Sequence, residues 1–319
     1  KMRSILEDTV DKGTGKRARI EGYAVGGKTG TAQLSAGKSG YIRNEYLSSF
    51  IGFFPADKPK YIVMAMFMRP QADIQANKFG GVVAAPVVGN VIRRIIKEEE
   101  GWCYVRTDFD NYEGWIDAKQ LSPISEATYE ETKKILPRYA SDMVDYVQIS
   151  DKEYDLLPIC IGATVSNAPF IGHLFSGEVQ RKVLRKNVVE IALRYLNTPY
   201  LWGGKSPFGI DSSGFVQMVY KLMGIKLPRD MASQHEMIEN DVATLEDAEV
   251  GDLLFFNDNK GRIIHVGLLI QPSYIIHAYG KVRVDRIVPK GIFDEDAQEI
   301  THTLYAIKRI LDDDEKKIT

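Results

Sequence analysis

Cysteine is nearly absent from this chain: there are two in 319 residues, Cys103 and Cys160. They lie far apart with no Cys-x-x-Cys and no Cys/His cluster, so neither a disulfide scaffold nor a zinc site is expected. Both sit among apolar neighbours and read as small core residues, and Cys160 has no histidine nearby in sequence to activate it. An excess of charge of one sign is also missing. The 41 Lys+Arg and 43 Asp+Glu leave a net charge of −2, so no broad basic surface invites nucleic acid. The longest apolar run, Tyr61 to Met68, falls far short of the ~18 residues of a membrane span, and no transmembrane helix is expected. Lys1-Met2-Arg3-Ser4-Ile5-Leu6-Glu7 lacks the apolar centre of a signal peptide, which leaves export undecided. What is present is a globular composition, 44% hydrophobic and 26% charged, sufficient for two or three domains with cores.

The most informative stretch runs from Pro199 to Gln217, Pro-Tyr-Leu-Trp-Gly-Gly-Lys-Ser-Pro-Phe-Gly-Ile-Asp-Ser-Ser-Gly-Phe-Val-Gln. A Gly/Pro-rich loop feeds Asp211, which can cap a helix carrying Phe215, Val216, Val219, Leu222 and Met223 on one apolar face. Ser212 then occupies the first turn. Unpaired N–H groups and the positive dipole end favour negative charge there, which suits a nucleophile or an oxyanion.

Two strands follow farther on, Ile263 to Ile270 and Tyr274 to Tyr279, joined by a tight turn at Gln271-Pro272-Ser273. A hairpin centred on Gln271 puts His265 directly opposite His277 on one face, with Cβ atoms about 5 Å apart. One imidazole could act as base and the other orient it. A slip of one residue would break the pair, and the sequence does not exclude it.

Helix-start nucleophile, histidine, polar orienter is the order of a papain-like triad. Pro199-Tyr200-x-Trp202-Gly203-Gly204, Asp211-x-Ser213-Gly214-Phe215-Val216-Gln217, Leu227-Pro228-Arg229-Asp230, Gly251-Asp252-Leu253-Leu254-Phe255-Phe256 and His265-Val266-Gly267 resemble the NlpC/p60 cysteine peptidases of bacterial cell-wall turnover. The resemblance covers about residues 181 to 311. It implies an α+β papain-like domain with an antiparallel sheet that hydrolyses the bond between γ-D-Glu and an L-diamino acid in peptidoglycan stem peptides or muropeptides. It implies no cofactor and no metal. Localisation would be the bacterial cell envelope or periplasm, or the cytoplasm for muropeptide recycling. In this reading Ser212 stands at the nucleophile position, His265 is general base and later acid, and His277 orients it. The Ser212 N–H and the Tyr200 hydroxyl would bind the oxyanion. Asp211 is either a helix cap or the carboxylate that meets the free amine of L-Ala-γ-D-Glu. Trp202, Ser213 and Arg229 are pocket wall and polar lining, or for Trp202 core. Met231 stands where many relatives have a small hydroxyl residue.

The family has cysteine where this chain has Ser212. A thiol starts near pKa 8.5 and can fall to roughly 3.5–7.5 beside a histidine at a helix start, whereas an alcohol stays protonated. Little or no turnover is expected, whether the serine was introduced deliberately or arose in a natural pseudoenzyme. A non-catalytic module that binds peptidoglycan peptides is the alternative.

Gly22-Tyr23-Ala24-Val25-Gly26-Gly27-Lys28-Thr29 spells the phosphate-loop pattern, but a basic stretch precedes it and a loop follows, where the motif needs a buried strand and a helix. Lys28-Thr29-Gly30 instead resembles the edge-strand motif of penicillin-binding transpeptidases. Ser49 to Phe67 resembles the hairpin after it, and Val82 to Ile96, with Pro86 in its first turn, the closing helix. The Ser-x-x-Lys and Ser-x-Asn that should precede are missing; Ser35-Ala36-Gly37-Lys38 comes too late and in a loop. The resemblance therefore implies a truncated domain, with apolar faces uncovered and no acylation by penicillin. A transpeptidase remnant is the third functional reading.

Trp102 to Thr107 and Gly114 to Asp117 resemble the last strands of a bacterial SH3-like domain. Glu126 to Leu136 reads as a polar helix ended by Pro137, and segments between Tyr146 and Gly177 suggest a second, reduced SH3-like piece. His173 and His302 are expected to be structural. His235-Glu236-Met237-Ile238-Glu239 lacks one ligand of a zinc helix. The layout expected is 1–97 transpeptidase-like fragment, 98–122 partial SH3-like, 123–180 linker helix and second SH3-like piece, 181–311 NlpC/p60 domain and 312–319 charged tail.

Overall fold

The computed structural model describes residues 2–37, 40–71, 78–149, 155–166, 168–180, 187–295 and 297–311. Two compact units divide the chain: Lys1–Val105 with Gly114–Leu121, and Arg106–Glu113 with Ser122–Thr319.

In the first unit, α1 (Met2–Asp11) precedes a three-stranded antiparallel sheet of β1 (Gly26–Ser35), β2 (Tyr41–Phe54) and β3 (Tyr61–Met68), in the order β1-β2-β3. The expected closing helix is split into α2 (Gly80–Val83) and α3 (Ala85–Glu99), with Pro86 in the first turn of α3. Proline has no N–H to continue the ladder. The Val82 carbonyl it would have bonded accepts Arg17 Nη1 instead, at 3.3 Å. Phe50, Phe54, Val88, Ile92 and Ile96 form the core, and Tyr61, Val63 and Ala65 of β3 pack against it. Alternation along β3 sends Ile62, Met64, Met66 and Met68 to the other face, where all four are exposed. The apolar face expected to lack cover is thus present. Lys28, Thr29 and Gly30 lie within the edge strand β1, with no helix after them. Ile92 is fully enclosed. Ile92→Ala is expected to cost this unit about 2–5 kcal/mol, measured by hydrogen exchange of the β2 amides.

β4 (Trp102–Arg106) and β5 (Glu113–Asp117) form the expected hairpin, with the rings of Tyr104 and Trp115 edge to face at 5.1 Å. α4 (Glu126–Lys133) follows, capped by Ser125, then an antiparallel sheet of β6 (Val144–Ile149), β7 (Leu156–Cys160) and β8 (His173–Leu174), in the order β7-β6-β8. The SH3-like pieces are therefore a two-stranded and a three-stranded sheet. Cys103 and Cys160 are half-buried free thiols rather than core residues. Burial pushes the Cys160 thiol up, away from a reactive thiolate.

The apolar spacing of Leu184, Val188, Ile191, Ala192 and Tyr195 predicts an amphipathic helix over Arg181 to Leu196; α5 (Val188–Arg194) turns Val188, Ile191 and Ala192 inward, while residues 181–186 and the tail, 312–319, lie outside the described residues. A short ribbon of β9 (Lys205–Ser206) and β10 (Gly209–Ile210) leads into α6 (Ser212–Leu222). α6 is buried on every side as far as Tyr220, not on one face as its pattern suggests, because the barrel and the other helices enclose it. α7 (Met231–Met237) follows, carrying His235 against Phe255 and Tyr305.

The expected small sheet is a closed six-stranded barrel: β11 (Leu253–Asn257), β12 (Ile263–Gln271), β13 (Tyr274–Tyr279), β14 (Lys281–Val288), β15 (Gly291–Asp294) and β16 (Glu299–Lys308). Alternation sorts its side chains. Leu253, Phe255, Val266, Leu268, Ile276 and Ala278 pack with α5 and α6, while Leu254, Phe256, Leu269, Ile275 and Ile287 fill a second core. Asp252, fully buried, holds Arg309 through Nε at 3.0 Å and Nη2 at 2.8 Å, fastening the end of the barrel to its start.

Candidate functional site

Asp211 caps α6 by accepting from Gly214 N–H at 2.7 Å. Gly214 must be glycine, since a Cβ would lie 2.4 Å from the Gly204 carbonyl oxygen. The loop can thus close over the helix tip. Ser212 and Ser213 are each 3% exposed, so the tip is almost wholly enclosed. On the preceding loop Tyr200 is 39% and Trp202 79% exposed, which rules out the core reading of Trp202.

The Asp211 carboxylate is fully engaged. Besides Gly214 N–H, it accepts from Gly203 N–H at 2.8 Å, Ser213 Oγ at 3.3 Å, Arg229 Nη1 at 2.9 Å and Arg229 Nη2 at 2.7 Å. Burial alone would raise its pKa, but Arg229 and the backbone donors outweigh burial and hold it below the usual carboxylate range. Arg229 Nη1 also donates to Ser213 Oγ at 2.9 Å. Burial raises the Tyr200 phenol, with Asp211 adding to the shift. Because both partners of the Asp211–Arg229 pair are largely buried, Arg229→Ala strands a carboxylate. A loss of about 3–5 kcal/mol is expected in the denaturant unfolding of this unit.

The hairpin register differs from expectation. His277 pairs with Gly267, not with His265, because the turn falls at Pro272-Ser273, with Gln271 opposite Tyr274, and an irregularity between Leu269 and Gln271 takes back one residue, leaving the pairing two residues from the expected one. A shift of two preserves the face, so the histidines become diagonal neighbours. Gly267 makes the arrangement fit: a Cβ there would come within 2.9 Å of His277 Cβ. His265 Nε2 lies 2.8 Å from His277 Nδ1, and His277 Nε2 lies 2.7 Å from Asp285 Oδ2. Sequence reasoning missed Asp285, whose place depends on the β13–β14 pairing of His277 with Arg283. Arg283 in turn holds Asp285 Oδ1 at 2.7 Å.

These contacts fix the protons. An ionised carboxylate only accepts, so His277 Nε2–H donates to Asp285. His277 Nδ1 then carries the lone pair and accepts from His265 Nε2–H. His265 is left with a lone pair on Nδ1, the form a general base requires. Its pKa is well below the ordinary value, first through burial, then through His277 and His302.

Loop and barrel meet at one end of this unit. Tyr200 N–H donates to Gly280 O at 2.9 Å, Asn197 N–H to Val282 O at 2.9 Å and Val282 N–H to Thr198 O at 2.8 Å. Tyr279, next to that junction, stacks on His277 with centroids 6.4 Å apart. α6 packs against β12 and β13, so Ser212, His265, His277, Tyr200, Asp211, Ser213 and Arg229 belong to one region. Lys28, Thr29 and Gly30 belong to the first unit. His302 begins an apolar run to Ile310 that reads as a closing strand, but β16 starts three residues earlier, so His302 lies inside it with its ring 4.3 Å from that of His265. Among the described residues no His, Cys, Asp or Glu group is disposed to hold a metal ion, this triple histidine included.

His302 is lowered to about 4, first by burial, then by His277, with Asp285 opposing. An unfolded histidine titrates near 6.5. Between those values the unfolded state binds more protons, so stability falls as pH drops. The second unit is expected to lose on the order of 1–3 kcal/mol between pH 7 and 4.5, where the lowered carboxylates Asp211 and Asp285 still keep their charge. Denaturant midpoints across that range measure it.

A capped helix tip packed against a barrel that carries the hydrogen-bonded His265, His277 and Asp285 fits the papain-like class of α+β domains. Residues 197–298 match the NlpC/P60 family and residues 1–93 the penicillin binding protein transpeptidase domain. Dipeptidyl-peptidase 6 of Lysinibacillus sphaericus is 30% identical over 248 residues, which are 68% of this chain and 86% of that protein. The chain belongs to the NlpC/P60 family. Gamma-D-glutamyl-L-lysine dipeptidyl-peptidase of Bacillus subtilis is 38% identical over 101 residues, 31% of this chain and 33% of that one. Stage V sporulation protein D of the same organism is 50% identical over 98 residues; the match takes in 30% of this chain and spans 14% of that protein. An NlpC/P60 family crystal structure from Bacillus cereus shares the fold at TM-score 0.50 and 20% identity, covering 66% of this chain and 79% of the other.

Proposed function

We propose that residues 187–311 are a hydrolase domain for peptidoglycan stem peptides, shaped to cut between γ-D-Glu and an L-diamino acid and silenced by serine at 212. The observation that carries this reading is the hydrogen-bonded series His265, His277, Asp285, which leaves Nδ1 of His265 basic. In the active form the residue at 212 attacks the γ-D-glutamyl carbonyl, and His265 takes its proton and returns it to the leaving amine. The N–H of residue 212 and the Tyr200 hydroxyl receive the oxyanion. Asp211 can meet a substrate amine only in exchange for one of its present donors, so we assign it first to holding the loop and Arg229. Stem peptides place the reaction at the bacterial envelope, and free muropeptides would place it in recycling.

Ser212 itself supports a second reading, that the chain as it stands binds such peptides without cutting them. Calorimetry with an L-Ala-γ-D-Glu-L-Lys peptide tests the cleft in the unaltered chain. Absence of both binding to the unaltered chain and hydrolysis by the Ser212→Cys chain would remove both readings.

A further inference from the structure

His302 has no part in the steps above, yet it makes the shortest ring contact of the histidine cluster. Its centroid is 4.3 Å from that of His265 at a tilt of 32°, against 5.0 Å for His265 to His277 and 5.8 Å for His265 to Phe256. The ring is itself held: Nδ1 lies 2.9 Å from Thr301 Oγ1, and Tyr279 meets it edge-on at 4.9 Å. His302 is half-buried, whereas His265 is 5% exposed, so part of the path from solvent to the base is occupied by this imidazole.

Among the described residues His265 is hydrogen-bonded at Nε2, to His277. One hydrogen bond sets a distance but leaves the ring free to swing about the Cβ–Cγ bond, because that terminal torsion is broad. A tilt of some tens of degrees would point Nδ1 away from the residue at 212. We propose that His302 is a positioning residue for His265: lying along the base, it fixes the plane in which Nδ1 is presented and keeps water from that ring. This rests on the reading of His265 as the base. The titratable and charged groups facing the pair are His277 and Tyr279 on β13, Asp285 and its partner Arg283 on β14, and Asp294 on β15, 3.5 Å from Arg283. His302 stays neutral at working pH, so its effect there is steric and dielectric rather than a matter of charge.

Two arms test this in the full chain. NMR titration of the imidazole protons, in the chain with Ser212, is expected to show His302→Ala moving the His265 transition up by about one pH unit or more toward 6.5, as water reaches the ring. His302→Phe, which keeps a ring but no titrating nitrogen, removes only the repulsion between the two rings and should raise it clearly less than alanine does. In a Ser212→Cys background, His302→Ala should lower kcat about 10-fold or more with KM within about threefold, and His302→Phe should restore most of kcat. Should His302→Ala fail to fold, His302→Gln removes the ring equally. Overturning results are a His265 titration moved no further by alanine than by phenylalanine, or a phenylalanine variant with the kcat of alanine. If Ser212→Cys shows no turnover, the reading of the site fails, and the NMR arm still decides on the stack.

Discussion

Ser212→Cys is expected to raise the release of L-Ala-γ-D-Glu from an L-Ala-γ-D-Glu-L-Lys peptide by about 10³-fold or more, from background to a readily measured rate. The reason is a mismatch of acidities. His265 is a weak base, held below its ordinary pKa by burial and by its two histidine neighbours. Each unit separating it from the nucleophile adds about 1.36 kcal/mol to the proton transfer. A thiol begins near 8.5, and the N–H groups at the start of α6 lower it further, so the gap shrinks to a few units or closes. Once the thiolate forms, it favours imidazolium at His265 and offsets part of the cost of charging a buried ring. An alcohol gains little from either effect, because it stays protonated until the moment of attack. Shape changes little: the side chain is 3% exposed and sulfur replaces oxygen without a new branch. Dipeptide release read by chromatography decides it, and a rate unchanged by cysteine would mean that His265 Nδ1 does not reach the helix tip.

The helix tip was legible in the sequence because its signals are local. A Gly/Pro loop, an Asp cap and a following apolar helix need no partner to be recognised, and Asp211 caps α6 as read. The two histidines were legible as a pair because strand alternation survives any even slip. Their exact pairing was not, since it depends on where the turn falls and on the irregularity before Gln271, neither of which the strand residues specify. Asp285 was hidden for a different reason. It reaches His277 through the β13–β14 pairing, and in sequence an Asp two places after an Arg on an alternating strand looks like one more solvated charge. The same holds for Arg229, whose motif was visible while its bidentate hold on Asp211, 18 residues earlier, was not. In the first unit the bare Ile62, Met64, Met66, Met68 face followed from counting elements, because three strands and a closing helix cover one side of a sheet only.

Asp285→Asn, made in the Ser212→Cys chain, is expected to cut kcat by about 10²–10⁴-fold while leaving the fold in place. An aspartate can only accept from His277 Nε2–H, and that single constraint propagates through both rings to leave the lone pair on His265 Nδ1. An asparagine offers an NH₂ as well as a carbonyl. Arg283 now reaches both oxygens of Asp285, Oδ1 from Nη2 and Oδ2 from Nε, each at 2.7 Å, so either orientation of the amide sets its NH₂ against a guanidinium N–H; with the NH₂ in the Oδ2 place it donates to His277 Nε2. His277 must then carry its proton on Nδ1 and donate to His265 Nε2. His265 in turn holds its proton on Nδ1, and the atom that should accept from the nucleophile has none of the basicity required. Arg283 keeps Asp294 at 3.5 Å, so the substitution does not strand a buried charge and the denaturant midpoint should move little. The loss should fall on kcat rather than KM, because the substituted residue acts through two rings and not on the peptide. A variant with normal kcat would show that the proton on His265 is placed by something other than this series of hydrogen bonds.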